Sequence, residues 1–316
     1  MKTTSRVLAS LLACVLTFNT SLFGWGAIGH MAAAYVAYNQ LTPATKKRVR
    51  VLLKLNPDYQ KWVSQVPAGT AAKFRPMTIF MIAATWPDQI KSKTGYTDDG
   101  SDNGNRPDGA SSIQNVGYTD HLHHKYWHFV DTPFTQDGSP LGPIPSPNAE
   151  TQIAAFRAVL ASSDPDPLKS YDLVWLLHLV GDVHQPLHSA TRVSATDPAG
   201  DNGGNNVALC VAPCRTELHG FWDGLPGSGS DPATATSWAS KLAAANSTAG
   251  ADLDATHWIK ESFDDAQSDV YVAPIGPGDG PFTLTPEYRT AARNLAKKRV
   301  ALAGARLANV LNSELK

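Results

Sequence analysis

The sequence predicts an all-α protein, and three observations lead to that class. Apolar residues recur at a spacing near 3.6 through much of the 316-residue chain. Two segments begin with Thr-Pro, at Thr42-Pro43 and Thr285-Pro286, where the threonine can cap a helix and the proline suits its first turn. Segments in which apolar and polar residues alternate are scarce. We therefore expect a single multi-helix domain whose helices are joined by long loops.

The helices are predicted where the apolar spacing persists for ten residues or more. In chain order, the clearest segments are Ile28 to Gln40, Lys46 to Leu55, Met77 to Ile90, Ala149 to Leu160 and Tyr171 to Asp182. Weaker patterns predict three more helices, at Asp231 to Ala245, Asp252 to Asp269 and Pro286 to Leu311. Long stretches rich in Gly, Asp, Asn and Pro separate them at residues 91–120, 132–148, 190–206 and 272–283. Loops of this length are usually functional or mobile.

The first 24 residues have the organisation of an export signal. Lys2 and Arg6 precede an apolar run from Val7 to Phe18, and small residues follow up to Gly24. The run is shorter than the roughly 20 residues that span a bilayer. We predict a signal peptide over residues 1–24 and a secreted or periplasmic domain over residues 25–316, without a transmembrane segment. The segment from Leu11 to Cys14 allows an alternative, in which a lipidated Cys14 becomes the new terminus.

Charge and cysteine content limit the remaining possibilities. Without the leader the chain has 25 basic and 28 acidic residues, a net charge of −3. Bulk charge therefore does not attract polyanions, and any contact with nucleic acid must come from a local site. Cys210 and Cys214 are the two cysteines of the mature chain. An even count in an exported chain favours a disulfide between them over a pair of zinc thiolates.

Side chains that bind metals are concentrated between His178 and His188. The segment reads HLVGDVHQPLH and places three imidazoles and one carboxylate within eleven residues. His178 and Asp182 are four residues apart on a predicted helix, so both project from one face. The same spacing recurs at His219 and Asp223. Imidazole and carboxylate groups in this arrangement are typical of zinc ligands.

Further donors lie elsewhere in the chain. Cleavage before Trp25 would release an α-amine, whose ordinary pKa of about 7.7 to 8.0 allows it to bind a metal. His30, Asp88 and His128 supply further donors. The nine candidates in chain order are Trp25, His30, Asp88, His128, His178, Asp182, His188, His219 and Asp223. Nine residues are too many for one tetrahedral zinc but suit three ions if Asp182 bridges two of them.

These motifs, in this order, resemble the zinc-dependent, single-strand-specific S1/P1 nucleases, whose all-α fold is shared with zinc phospholipase C. The motifs are Trp25-Gly with His30, Trp86-Pro-Asp88, His128-Phe-Val-Asp131, the His178–His188 segment, Gly203-Gly-Asn205 and His219-Gly-Phe-Trp-Asp223. The resemblance implies a cofactor of three Zn²⁺ ions. One would be held by His128, Asp88, His178 and Asp182, a second by Asp182, Trp25 and His30, and the third by His188, His219 and Asp223.

The resemblance also implies a pocket for a nucleobase. Phe129 would stack on the base, and Asp131 and Asn205 would form hydrogen bonds to its edge. Stacking contributes about 1 to 3 kcal/mol per base and requires an unstacked nucleotide, which favours single strands. Asn202 stands where an apolar residue is expected as the opposite wall of the pocket.

The function implied is that of a secreted endonuclease. It would cleave single-stranded DNA and RNA to 5′-phosphorylated products and remove the 3′-phosphate of nucleotides. Zinc lowers the pKa of bound water to about 7, so hydroxide would be available as the nucleophile near neutral pH. Asp88 would orient this nucleophile, and Lys91 would stabilise the phosphoryl oxygens. We expect a monomer whose substrates are nucleic acids and nucleotides.

Two other functions are compatible with the same residues. A phospholipase C acting on phosphocholine lipids would use the same metal cage on a phospholipid. The short spacing from Trp25 to His30 and the presence of Asp223 rather than Glu favour the nuclease. A zinc-binding protein without catalytic activity, using its long loops for interaction, is the alternative of a different class.

Overall fold

The structure is a computed structural model that describes residues 24–100, 121–211, 213 and 215–315. Helices dominate these residues, as the sequence predicts. In chain order they are α1 (Ala27–Gln40), α2 (Pro43–Leu53), α3 (Tyr59–Ser64), α4 (Arg75–Ala83), α5 (Trp86–Ile90), α6 (Ala149–Ala161), α7 (Asp166–Asp182), α8 (Leu218–Asp223), α9 (Pro232–Ala239), α10 (Ser247–Ala251), α11 (Ala255–Asp265) and α12 (Pro286–Glu314). Two 3₁₀ turns lie at Lys125–His128 and Pro186–His188, and a π-helical turn at Ala266–Val270 continues α11.

Both predicted Thr-Pro starts are confirmed. The hydroxyl of Thr42 accepts a hydrogen bond from the amide of Thr45 at 3.1 Å, and that of Thr285 accepts from the amide of Tyr288 at 3.2 Å. In each case a side-chain oxygen satisfies an amide that has no partner within the helix, and the following proline has no amide hydrogen to satisfy. The caps therefore fix where α2 and α12 begin.

The prediction of one helix over Met77 to Ile90 is wrong, because the structure has two helices with a break at residues 84–85. Pro87 has no amide hydrogen, and its ring would clash with the carbonyl of Ala83 if the helix continued. The break leaves the carbonyl of Ala84 outside the helical hydrogen-bond ladder, and the Nδ1 atom of His178 lies 2.7 Å from its oxygen. The interruption thus contributes directly to the site described below.

Some other boundaries differ from the prediction. The helix predicted from Tyr171 begins at Asp166, because Pro167 is suited to a first helical turn. The helix predicted over Asp231 to Ala245 ends at Ala239. Two three-residue strands, β1 (Pro133–Thr135) and β2 (Thr191–Val193), pair in parallel within the predicted loops. Segments of three residues are too short to show a periodicity.

Helix α7 lies at the centre of the molecule. Every residue from Leu173 to Asp182 is buried, and the helix contacts α1, α2, α5, α6 and α12. The ring of Trp175 lies 5.0 Å from that of Trp127 and 6.1 Å from that of Trp86. A helix buried on all sides brings its polar residues into the interior as well. None of the helices in the described part of the chain is both long and apolar enough to cross a bilayer.

Candidate metal centre

The eight predicted side-chain ligands come from six separate segments and converge in the interior. They are His30 on α1, Asp88 on α5, His128 at the end of the first 3₁₀ turn, His178 and Asp182 on α7, His188 at the end of the second 3₁₀ turn, and His219 and Asp223 on α8. None is more than 7% exposed. Their ligand atoms form three groups, each within 4.8 Å: His30, Asp88 and His178; His128, His178 and Asp182; His188, His219 and Asp223.

Asp182 faces two of these groups with its two carboxylate oxygens. Its Oδ2 atom lies 2.9 Å from Nδ1 of His128 and 3.2 Å from Nε2 of His178. Its Oδ1 atom lies 3.3 Å from Nε2 of His30. The carboxylate therefore has the arrangement of a bridge, with one oxygen directed to each side.

Asp88 completes the donors on this side of the centre. Its Oδ1 atom lies 3.5 Å from Nε2 of His178, and Lys91 places its ammonium nitrogen 3.1 Å from the same oxygen. Burial alone would raise the pKa of Asp88, but Lys91 and His178 hold it below its usual range. Asp88 is therefore ionised and available to a cation.

The third group lies at the start of α8. The Nε2 atom of His219 is 3.1 Å from that of His188 and 3.4 Å from Oδ2 of Asp223. Gln185 donates a hydrogen bond of 2.8 Å to the other oxygen of Asp223, so only one oxygen is directed at the histidines. The sequence analysis missed Gln185, although it lies within the dense motif.

Hydrogen bonds to backbone carbonyls fix three of the imidazole rings. The Nδ1 atoms of His178, His188 and His219 each lie 2.7 Å from a carbonyl oxygen, those of Ala84, His128 and Gly203 respectively. A carbonyl can only accept, so each Nδ1 atom carries the hydrogen and each neutral ring presents the lone pair of Nε2. Such outer hydrogen bonds are typical of metal-binding histidines.

These tautomers test whether the donors suit a metal. The Nε2 lone pairs of His188 and His219 face each other at 3.1 Å, an arrangement that is repulsive unless a cation or a proton lies between them. Burial, with the neighbouring His188, lowers the pKa of His219 to about 3, which disfavours the proton. Neutral imidazole is the form that binds metals, so the donors fit a metal ion.

The electrostatics around His178 support the same conclusion. Burial alone would lower the pKa of His178, but Asp182 and Asp88 raise it to about 10. Without a metal, a proton on this ring would therefore balance the two carboxylates. Burial lowers the pKa of His30, so that ring is neutral. A cation shared among these donors would replace the proton and satisfy Oδ1 of Asp182, a buried atom that makes no hydrogen bond.

The chain preceding α1 enters this group of donors. Trp25 is fully buried, and the amide of Gly26 donates a hydrogen bond of 2.9 Å to the carbonyl of Asp223. A Cβ atom built on Gly24 would lie 1.6 Å from Oδ1 of Asp182 and 3.0 Å from Nε2 of His30. The backbone just before Trp25 therefore lies against Asp182 and His30.

The predicted base-binding residues lie together beside the metal donors. Phe129, Asp131 and Asn205 line a narrow cavity of about 20 Å³, which also contacts His128, His188, His219 and Lys91. Asn202 lines it as well, with its backbone in the left-handed region at φ 54°. A cavity of this size holds a water molecule, so its walls must separate to admit a base. Lys125 also lines the cavity. The sequence analysis missed it, because its position three residues before His128 matches no motif that indicates a binding role.

Two predictions fall on residues that the structure does not describe. Residues 1–23, which include most of the predicted signal peptide, lie outside the described residues, and so does Cys214, the predicted partner of Cys210. The bond between the two cysteines therefore remains a prediction.

The S1/P1 nuclease family matches residues 25–316. Nuclease S1 of Aspergillus oryzae is 24% identical over 224 residues, which are 68% of this chain and 59% of that protein. Endonuclease 1 of Arabidopsis thaliana is 24% identical over 234 residues, 70% of this chain and 60% of that protein. Endonuclease 4 of Arabidopsis thaliana is 32% identical over 74 residues, 22% of each. The chain thus spans about three fifths of the length of the first two relatives.

Proposed function

This chain belongs to the S1/P1 nuclease family, and on that premise we propose that it hydrolyses phosphodiester bonds of single-stranded DNA and RNA to 5′-phosphorylated products. We include removal of the 3′-phosphate of nucleotides in the proposal. The observation that carries it is the bridging arrangement of Asp182, whose two oxygens face donors on opposite sides within a buried cluster. The relatives named above, a nuclease and two endonucleases, support the same activity.

The cofactor proposed is three Zn²⁺ ions. His128, His178, Asp88 and Asp182 would hold one ion, and His188, His219 and Asp223 another. His30, Asp182 and the amine of Trp25 would hold the remaining one. Donor sets of imidazole nitrogen and carboxylate oxygen suit zinc. Bound zinc would supply a Lewis acid and a source of nucleophile near neutral pH.

The domain boundary is part of this proposal. Cleavage before Trp25 would leave a mature domain of residues 25–316, which the family match covers from its first residue to its last. Cleavage at this point is supported by the position of Gly24, whose backbone lies against Asp182 and His30, since a Cβ atom built on it would come within 1.6 Å of Oδ1 of Asp182 and 3.0 Å of Nε2 of His30. Removing Gly24 would free the space and create the amine in one step.

Two polar side chains at the end of α5 have proposed roles toward the phosphate. Lys91 lies beside Asp88 and also lines the narrow cavity, so its ammonium group can contact a phosphoryl oxygen there. Lys91 and His178 keep Asp88 ionised although it is buried. Its carboxylate can therefore accept a hydrogen bond from the attacking nucleophile. The role of Lys91 places negative charge of the substrate next to a fixed positive charge.

Selection of a single-stranded substrate would come from the narrow cavity. Phe129 is 9% exposed and lines the cavity, where its ring could stack on a base, while Asp131 and Asn205 offer hydrogen-bonding groups for a base edge. A base can enter only when it is unstacked from its neighbours. The Phe129→Ala variant should raise the KM for short oligonucleotides and leave the zinc content unchanged.

The experiment compares two chains that differ by one glycine. A chain of residues 25–316 should bind three zinc ions and cleave single-stranded DNA, RNA and 3′-AMP, whereas a chain of residues 24–316 should bind fewer and lose activity. Phosphatidylcholine is assayed in parallel, since its cleavage in place of nucleic acid would favour a phospholipase. Equal zinc content and equal activity in the two chains would contradict the amine ligand.

We also propose that the protein is exported and that its two remaining cysteines form a disulfide. Residues 1–24 would act as the leader of a secreted or periplasmic monomer, and Cys210 would form a disulfide with Cys214. Sequencing the amino terminus of the exported protein tests the first point, and a terminus other than Trp25 contradicts it. Mass spectrometry of peptides before and after reduction tests the second.

A further inference from the structure

A second cavity, much larger than the first, opens next to the narrow one. It has a volume of about 420 Å³ and lies between the loop that follows Asp131 and the loop that follows β2. We propose that it is a second nucleoside subsite, which holds the base and sugar of the nucleotide adjacent to the one at the metal centre. This inference rests on the proposed nuclease function and extends it to the length and base composition of the substrate.

The two cavities share a wall. Asp131 and Asn202 line both of them, so the two cavities are separated by no more than these side chains and their backbone. The left-handed backbone of Asn202 is held in a turn, in which the amide of Asn205 donates a 3.1 Å hydrogen bond to its carbonyl. Adjacent nucleotides of one strand could therefore occupy the two cavities on either side of this turn.

The larger cavity is built from fixed backbone. Its floor is the parallel pair of β1 and β2, in which Pro133 is in register with Thr191. Asp137 ties the two loops together by accepting a hydrogen bond of 2.9 Å from the amide of Ala195. Asp201 accepts from the amide of Arg192 at 3.0 Å, which fixes the end of β2. A preformed cavity of this volume is typical of a small-molecule site.

The lining has the chemistry of a site for a neutral ring rather than for a phosphate. Its apolar surface comes from a valine and four prolines: Pro133, Pro143, Pro145, Val193 and Pro198. Asp131 and Asp197 contribute carboxylates, and no lysine or arginine is found among the described residues that line it. Carboxylates repel phosphate but accept hydrogen bonds from the amino groups of adenine, cytosine and guanine. Thymine and uracil lack these groups, so adenine should be preferred to thymine here.

Cations lie instead along the narrow cavity. Lys91 and Lys125 both line this cavity. The ammonium group of Lys125 also forms an ion pair of 2.8 Å with Asp98. The phosphates of a strand would follow these lysines, and the base of the adjacent nucleotide would point toward the carboxylates. The distribution of charge thus matches a nucleotide with its phosphate on one side and its base on the other.

Gly142 provides a way to fill the larger cavity without touching the metal centre. It lines this cavity, and a Cβ atom built on it meets nothing within 4 Å. We therefore test Gly142→Trp, with Leu141→Trp as the matched control, because Leu141 is 51% exposed on the same loop and does not line the cavity. The substrates are the tetranucleotide of deoxyadenosine and a p-nitrophenyl phosphodiester that carries one nucleoside.

Gly142→Trp should lower kcat/KM for the tetranucleotide by about 10-fold, because the indole would occupy the space proposed for the adjacent base; a tenfold change corresponds to about 1.4 kcal/mol. It should leave cleavage of the p-nitrophenyl diester and the zinc content unchanged, and Leu141→Trp should match the wild type on both substrates. Equal effects of the two tryptophans, or no effect of either, would overturn the second subsite. Failure of the wild type to cleave either substrate would instead contradict the proposed nuclease function.

A second variant keeps the test valid if tryptophan disturbs folding. Asp197→Asn retains the shape of the side chain and removes one carboxylate of the larger cavity. The ratio of tetranucleotide rates, deoxyadenosine over thymidine, should fall at least about threefold relative to the wild type. Because the narrow cavity is unaltered in this variant, an unchanged ratio would show that Asp197 contacts no base.

Discussion

At the scale of single residues, Asp182 makes the contacts on which the proposed centre depends most. Asp182→Asn keeps the shape of the side chain and removes the charge that faces His30 and His128. We expect zinc content to fall from three ions to one and activity to fall at least about 10³-fold, as measured by metal analysis and by cleavage of single-stranded DNA. Retention of both would contradict the bridging assignment.

The chain offers a matched control on the same helix. Asp172 is a fully buried carboxyl on α7, ten residues before Asp182, and neither of its oxygens makes a hydrogen bond. Asp172→Asn should leave zinc content and activity unchanged. A comparable loss in both variants would mean that the effect at Asp182 reflects disturbance of α7 rather than loss of a ligand.

Asp172 itself should make stability depend on pH. Burial, with a smaller contribution from Asp164, raises its pKa to about 8, whereas the unfolded chain has the ordinary value near 3.8. Between pH 4 and pH 8 the folded protein holds a proton that the unfolded chain has released, so stability falls as pH rises. The Asp172→Asn variant should therefore gain up to about 4 kcal/mol relative to the wild type from pH 4 to pH 8, measured by urea unfolding. A difference independent of pH would contradict the buried neutral carboxyl.

At the scale of elements, α12 forms hydrogen bonds to the turn between Asp182 and His188, which joins two of the three donor groups. Arg306 is fully buried, places a guanidinium nitrogen 3.0 Å from Nε2 of His184, and pairs with Glu261 at 2.7 Å. Arg299 donates a hydrogen bond of 3.2 Å to the carbonyl of His184. His184 lies between Asp182 and His188, so these arginines fix the segment that carries the proposed ligands of different ions.

This arrangement predicts a loss of both stability and metal affinity in Arg306→Ala. Removing the guanidinium leaves the buried Nε2 atom of His184 without its hydrogen-bond partner, which typically costs about 1 to 3 kcal/mol. The turn would loosen as well, so zinc should dissociate more readily in a chelator competition. Arg293→Ala, an exposed position on the same helix, is the control. If Arg306→Ala loses stability but binds zinc as tightly as the wild type, α12 does not position the turn.

At the scale of the whole molecule, the centre joins segments from α1 to α8 and should stabilise the fold. Asp88, Asp182 and Asp223 lie close together in the interior, so the proposed cations would stabilise the folded chain by binding buried carboxylates that protons must otherwise neutralise. Treatment of the mature protein with EDTA should lower its melting temperature by at least about 10 °C in calorimetry, and zinc should restore it. Magnesium should not, since it prefers oxygen ligands. An unchanged melting temperature would contradict a structural contribution from the metals.

The sequence by itself determined the helical class and which candidate ligands lie together on one helix. His178 with Asp182, and His219 with Asp223, could be recognised because the helical repeat of 3.6 residues turns a spacing of four into a shared face. The Thr-Pro starts could be recognised for a similarly local reason. Each of these features depends only on neighbours in the chain.

Tertiary structure alone decided what lies between elements. The break before Trp86 that lets Ala84 bind His178, the approach of Gly24 to Asp182, and the cavity beside Asn202 all depend on segments that are distant in sequence. Spacing along a chain carries no information about which loops meet, because loop geometry is set by packing against the rest of the molecule. The candidate ligands could therefore be identified from the sequence, while their distances, tautomers and neighbouring cavities could not.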